Sequence, residues 1–318
     1  MKIIALKIIS LYTKIRHFTV PVTLRYFCRD TYYCRFQQLK YIFKDYFFKK
    51  PYKEITFSGE FAPELQFVLP FAYWHYKNGT LLKTQSSVHT KALYFFSPQH
   101  KEVFTNRTNE GNYNYEVPRV LYSHNYNMSK WCKVPLKKHY QNKIYVFEKP
   151  TLIIANRYNS EWGGPPISFI PINVLQELIP QLKEKYTIVY NRAKSDYIVN
   201  DNSNIFDLED FEWLSKYHPD VTIMNTLYER DKHLVDSFNH LQLMVYANAS
   251  CFISTHGGTA TLASYFGGIN IILSKKGPEH YFKCYKKLYP KLSDAEIYHV
   301  KTDQDLIAKT KEKFLDNA

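Results

Sequence analysis

The sequence predicts an α/β protein made of two units, each built on a parallel sheet. Residues 248–277 read strand, turn, helix, turn, strand; residues 151–190 repeat the strand–helix–strand pattern; a further β/α region begins near residue 54. At 318 residues, 45% hydrophobic and 17% aromatic, the chain can fill two cores. The boundary falls within 131–150, where basic and apolar residues alternate around Pro135 and Pro150. That gives a first domain at 1–148 and a second at 149–318.

Taken in order, residues 1–18 form an apolar run that Lys7, Lys14 and Arg16 cut well short of a bilayer-spanning length. No small-residue cleavage site follows a clean apolar core, so no secretory leader is expected. As a basic amphipathic helix the segment either packs on the protein's own core, the commoner fate, or lies on a membrane surface. The stretch to residue 50 stays rich in Lys, Arg and Tyr without a motif. Ile55, Thr56 and Phe57 make a strand, 58–60 a turn, and 63–76 a helix that Pro70 kinks. Residues 80–83 and 92–96 read as strands, and the polar 106–115 as a loop.

In the second unit, 151–155 is a buried strand, 156–166 a loop, 174–183 a helix and 187–190 a strand. A charged amphipathic helix at 207–217 and a strand at 221–224 follow. The helix at 234–247 sets Leu234, Phe238, Leu241 and Val245 on one face. Cys251, Phe252 and Ile253 form a strand, 259–266 a helix and 269–273 another strand; from 293 onward come a strand and a Lys-rich terminal helix.

The formal charge of +13 is uneven. Residues 1–150 carry 24 Lys+Arg against 9 Asp+Glu, hence +15, and the rest carry 18 against 20, hence −2. The basic half therefore suits an anionic partner: a phospholipid surface, a lipid-linked pyrophosphate, an acidic glycan or nucleic acid. Nucleic acid is not the expected partner, because the basic residues are dispersed and no zinc-finger, RNP or helix-turn-helix signature appears. Five scattered cysteines without a C-x-x-C pair suggest neither a disulfide framework nor a zinc site, and fit a reducing, cytoplasmic compartment.

One crevice gathers the residues that carry chemistry. Gly257 and Gly258 fall between strand and helix, where a missing Cβ lets the backbone turn and an anion approach the helix start. Gly267 and Gly268 close that helix. Two upstream strands end alike, in Asn156-Arg157 and Asn191-Arg192, and ligands of open α/β sheets bind at strand carboxyl ends. Forked guanidinium donors suit phosphate oxygens, so Arg157, Arg192, His256, Thr255 and Thr259 are read with the glycine turn as a diphosphate site. The plain alternatives are ion pairs of the arginines with Glu161 or Asp196, and a histidine satisfied by backbone.

The Thr-His-Gly-Gly-Thr turn at 255–259, the Leu-Ala-Ser-Tyr-Phe-Gly-Gly run at 262–268 and Asn-Arg-Tyr-Asn-Ser-Glu-Trp at 156–162 resemble segments of GT-B type glycosyltransferases. They are similar in particular to those that build surface polysaccharides in bacteria and large algal viruses. The resemblance spans about 150–280 and is only architectural before that. It implies two Rossmann-like domains facing across a cleft, the second holding a nucleotide-sugar donor and the first a glycan or lipid-linked acceptor. It also implies transfer without a bound metal or other cofactor; the chain's Asp-x-Asp, Asp303-Gln304-Asp305, falls in the terminal segment, outside the 150–280 span of the resemblance. Inversion needs a general base for the acceptor hydroxyl. Glu60, after a strand end and a glycine in the first unit, is the candidate; its alternative is a carboxylate that merely favours a helix dipole. His75 and Glu64 are weaker candidates. Asn225, Thr226 and Glu229, past the strand at 221–224, are assigned to the nucleoside, and Trp162 and Tyr158 to stacking on sugar or base; the alternatives are a solvated loop for the first three and core packing for the two aromatic rings. The rivals are a basic nucleic-acid-binding protein and a catalytically inactive sugar-binding relative. The expected location is cytoplasmic, with peripheral membrane contact through the basic half.

Overall fold

The structure, a computed structural model, describes residues 2–108, 116–117, 129–161, 163–199 and 203–316. Helices α1 (Lys2–Arg16) and α2 (Arg25–Leu39) come first and pack on each other, with the Tyr12 and Tyr32 rings 5.1 Å apart. A π-helical turn, Phe43–Phe48, leads into a three-stranded parallel sheet in the order β1 (Lys53–Thr56), β2 (Leu81–Ser87), β3 (His100–Phe104). Between β1 and β2 the chain is helical from α3 (Phe61–Pro63) through a π turn at Glu64–Val68 into α4 (Leu69–Lys77). Pro70 sits at the start of α4, where its missing N–H matters least and where the π turn has already shifted the hydrogen-bond register.

The expectation of a strand at 92–96 does not hold. Ala92, Leu93 and Tyr94 are buried in a 3₁₀ turn at Lys91–Tyr94, and the strand is instead the polar β3, whose middle residues face solvent. An apolar run reports burial and leaves the backbone open, whereas a sheet edge can be polar on both faces.

The second half follows the winding expected of it. After α5 (Leu136–Tyr140) come β4 (Thr151–Ala155), α6 (Ile172–Lys185), β5 (Thr187–Asn191), α7 (Asp210–Tyr217), β6 (Thr222–Ile223), α8 (Met224–Asp231) and α9 (Phe238–Ala247). Then follow β7 (Cys251–Thr255), α10 (Gly258–Ala263), β8 (Ile269–Leu273), three short helices α11 (Pro278–Tyr281), α12 (Cys284–Lys287) and α13 (Pro290–Ser293), β9 (Glu296–Val300) and α14 (Asp303–Thr310). All six strands are parallel in the order β6-β5-β4-β7-β8-β9. The short apolar runs bury both faces, as a parallel sheet covered by helices requires.

One face of this sheet packs on α6, α14 and the π turn Lys311–Asp316 that follows α14, through Leu175, Leu178, Ile179, Leu306 and Phe314. The other shares a core with the first half, joining Phe252, Phe266 and Tyr289 to Leu65, Phe67 and Phe71. Full burial of each such side chain contributes roughly 1.5–3 kcal/mol. Directional bonds fix the two halves: Tyr265 Oη donates to Leu65 O at 2.5 Å, and Gln66 Nε2 to Thr261 Oγ1 at 2.9 Å. The segment expected as a crossover is held too, since Asn142 Nδ2 donates to Met244 O and Lys137 Nζ to Ala249 O.

Candidate active site

Counted from β4, the six-stranded sheet has the order 3-2-1-4-5-6, so its winding reverses between β4 and β7 and a crevice opens beyond their carboxyl ends. Arg157 stands two residues past β4, His256 directly past β7, and Arg192 directly past β5. Glu60, Phe61 and Arg107 reach the same place from the first half. Together with Glu161, Asn191, Gly257, Gly258, Thr259 and Glu279 they line a cavity of about 390 Å³. Its walls thus come from both halves of the chain.

The glycine pair has a definite steric reason. Gly257 takes φ +82°, and a Cβ there would stand 2.9 Å from Arg157 Nη1; one on Gly258 would stand 2.8 Å from Phe61 Cδ1. The turn therefore lets a guanidinium close on it from one side and an aromatic ring of the first half from the other. Helix α10 has only six residues and ends sooner than the 259–266 helix expected from the sequence. Its dipole is correspondingly modest, and Arg157 is the stronger electrostatic feature.

Arg157 Nη1 lies 3.5 Å from His256 Nε2, and Glu161 Oε2 lies 3.7 Å from the same nitrogen. The carboxylate favours a charged imidazole, but burial and then the Arg157 guanidinium outweigh it and push the His256 pKa down to about 3. The ring is neutral at physiological pH, so it can exchange hydrogen bonds but is a weak base. Glu279 moves the other way: burial, then the nearby Glu161 and Glu60 charges, push its carboxyl up to about 7, against its own backbone N–H and Arg157.

The first-half carboxylates divide by burial. Glu60 lines the cavity just ahead of α3. Glu64 does not: it is fully buried, accepting from Arg107 Nη2 at 2.6 Å and Tyr94 Oη at 2.8 Å, and is thereby a structural anchor. His75 is likewise removed from the cavity, bonded to Thr80 Oγ1 and pushed down to about 2 by burial.

Other expected site residues also stand elsewhere. Arg192 reaches the cavity wall, but its guanidinium is committed to the buried Asp210, with Nε 2.7 Å from Oδ2 and Nη2 2.5 Å from Oδ1. Asp210, absent from the ion-pair alternatives read from sequence, takes this arginine because α7 begins beside the end of β5. Thr255 is buried within β7 with its hydroxyl toward Ala155 O, since alternate strand residues face opposite ways. Asn225 is buried and donates to Arg192 O, and Glu229 lies on the surface with Tyr197 and Lys232; neither lines the cavity. Both fall in α8, because the strand expected at 221–224 ends at Ile223 and the chain turns helical at Met224. Tyr158 packs edge-on against Phe169 and Phe206. Trp162 lies outside the described residues.

No family model and no curated protein sequence matches this chain. Among solved structures it is similar to E. coli ADP-heptose lps heptosyltransferase II, with 9% identity, a TM-score of 0.51, and coverage of 82% of this chain and 98% of that one. The fold is the GT-B fold. Two Rossmann-like units face across a cleft, and the cavity described above lies in it.

Within that GT-B cleft, sequence reasoning missed residues that the structure brings to the cavity. Glu161 is weighed only as an ion-pair partner, Asn191 is named only as a strand end, and Glu279 and Arg107 are not singled out. A usable signal existed for Glu279, which follows Gly277-Pro278 shortly after the β8 strand and so must emerge at the same sheet edge as His256. No local signal marks Arg107, which sits beyond β3, itself unrecognised. Among the described residues, four buried cavity atoms from separate segments find no hydrogen-bond partner: Arg157 Nε, Glu161 Oε2, Asn191 Oδ1 and Glu279 Oε2. Each such atom typically costs about 1–3 kcal/mol unless something bonds it.

Proposed function

We propose that the chain is a glycosyltransferase that binds a nucleotide-sugar donor in this cleft and passes its sugar to a glycan or lipid-linked glycan acceptor. What supports this most is the set of four partnerless buried atoms in one cavity. Three are acceptors and one is a guanidinium donor. A polyhydroxylated ligand supplies O–H donors to Glu161, Asn191 and Glu279, and its phosphate oxygens suit the fork of Arg157. Two carboxylates and an amide around one arginine would be a poor site for a bare diphosphate, so the sugar is part of what the cavity recognises.

In the proposed reaction Glu60 takes the proton of the acceptor hydroxyl, the oxygen attacks the anomeric carbon, and the nucleoside diphosphate leaves with its charge against Arg157. Configuration is inverted, and no metal takes part. His256, neutral, holds a phosphate or sugar oxygen rather than taking a proton. A second assignment of the base is favoured by one observation: the Glu279 carboxyl, pushed up to about 7, is poised for proton exchange near neutrality. Formation of surface polysaccharide in a cytoplasmic setting fits the five cysteines, none of which is in a disulfide.

The test is a thermal-shift screen against UDP, GDP, CMP and ADP and their sugar conjugates, followed by sugar transfer with Glu60→Gln and Glu279→Gln. A ligand that binds only the folded state raises its melting temperature. A larger rise with a conjugate than with its nucleotide supports the proposal; no rise with any of them removes its basis.

A further inference from the structure

We propose that α1 is a membrane-docking helix that lays an apolar stripe into an anionic phospholipid surface. The inference is independent of the transferase reading.

Ile4, Ile8, Leu11 and Ile15 recur at helical spacing, and Phe18 continues the series just past the helix end. At about 100° per residue they form a stripe about 80° wide. Each of the five is 61–72% exposed, whereas the α1 side that meets α2 holds the buried Thr13 and the half-buried Ile9 and His17. The helix thus turns its most apolar face to solvent and its mixed face to the protein, the reverse of a helix that serves the core. A second exposed cluster follows in the π turn, where Phe43, Phe47 and Phe48 are 65–72% exposed among Lys40, Lys44, Lys49 and Lys50.

Charge selects the occupant. Residues 1–50 hold 11 Lys and Arg against two Asp and no Glu. Both aspartates are buried and paired, Asp30 with Arg29 and Asp45 with Lys130, so this segment presents no carboxylate to solvent. A second copy of the chain would meet the same positive surface and be repelled, while anionic headgroups are attracted to it. Lys7 and Lys14 flank the apolar stripe on one side, placed to reach headgroups while the isoleucines enter the acyl boundary. With 15 residues, α1 is about 22 Å long against a hydrocarbon core of about 30 Å, so it lies on the bilayer. Among the described residues no helix is long and apolar enough to cross one.

The experiment is co-sedimentation of the full chain with phosphatidylcholine vesicles, with and without about 30% phosphatidylglycerol, at low salt and at about 0.5 M NaCl. The wild type should pellet with the anionic vesicles and be released by salt. The double variant Ile8→Glu/Ile15→Glu, which alters only exposed positions, should lose about 100-fold in partitioning, and Lys7→Gln/Lys14→Gln about tenfold. Circular dichroism and the thermal melting temperature of the variants, unchanged from wild type, show that folding is intact. Wild-type protein that stays in the supernatant, or an Ile8→Glu/Ile15→Glu variant that pellets like the wild type, overturns the proposal. So does a concentration-dependent dimer in sedimentation velocity that the same variant abolishes, since the stripe then belongs to a second copy.

Discussion

Arg157 and His256, 99 residues apart in sequence, meet with Nη1 and Nε2 at 3.5 Å across the point where the sheet reverses its winding. A guanidinium beside an imidazole is tolerable only if the ring is uncharged. Burial already ensures that, and the arginine deepens it. The pair is therefore one fixed cation and one neutral hydrogen-bonding group at a single strand edge.

Replacing that cation should be costly for binding. Arg157→Ala should weaken the affinity for a nucleoside diphosphate at least about tenfold, the scale of one charge-assisted hydrogen bond of about 1.5–3 kcal/mol. Arg157→Lys should recover only part of it, because a point charge cannot fork. Isothermal titration gives the affinities, and NMR titration of His256 gives a second readout, its pKa rising in Arg157→Ala. Equal affinities across the series would remove Arg157 from the donor site.

Arg192 should behave differently. Its partner Asp210 is fully buried, so Asp210→Ala strands a guanidinium in the interior and should cost about 3–5 kcal/mol in chemical denaturation. Arg192→Lys should lower stability more than it lowers nucleotide affinity. An affinity loss matching that of Arg157→Lys, with stability unchanged, would return Arg192 to the ligand.

These two arginines mark how far the sequence could be read. Both end a strand in the same Asn-Arg pair, and strand ends were legible because short apolar runs and glycine turns fix the sheet winding. Their fates diverge through Asp210, 18 residues beyond Arg192, where pairing depends on how α7 docks and no periodicity reports it. The same limit explains Asn225 and Glu229, assigned to a loop that is helix, and Glu279, whose carboxylate is brought beside Glu161 and Glu60 only by tertiary packing. The outward turn of α1 was also open in the sequence, because the 3.6-residue pattern reports an apolar face without saying what it meets.

The two glycines expected to close the helix after β7 lie beyond it, since α10 ends at Ala263 with Ser264 as its cap, and they separate space from backbone conformation. Both have positive φ, +71° at Gly267 and +66° at Gly268. A Cβ at Gly267 meets nothing within 4 Å, but one at Gly268 would stand 2.0 Å from Ser250 O. Gly267→Ala should then cost about 1–2 kcal/mol, the left-handed penalty alone. Gly268→Ala must also push the backbone of β8 from that of Ser250, and should cost at least about twice as much. Urea denaturation of the two variants measures the difference, and equal losses would show that the close approach relaxes without effect.

Glu279 gives a pH signature of definite sign. Its carboxyl titrates near 7 in the folded chain, against 4.5 as the ordinary value, so between those limits the native state keeps a proton that the unfolded state has lost. Stability from this group is therefore undiminished below about pH 4.5, falls as pH rises through that window, and is lowest above 7; a shift from 4.5 to about 7 corresponds to about 3 kcal/mol. Buried neutral histidines such as His256 and His75 act in the opposite direction, losing stability as pH falls below 6.5 toward their lowered values. The whole-protein curve mixes the two, so the informative quantity is a difference. Glu279→Gln, which keeps the shape and cannot ionise, should gain on the wild type progressively from pH 4.5 to about 7 and hold a constant advantage above that. Urea denaturation at half-unit pH intervals reads that difference directly. A variant whose stability runs parallel to wild type across the window would show that Glu279 is ionised in the folded chain at neutral pH, and would withdraw it as a proton-exchanging group in the cleft.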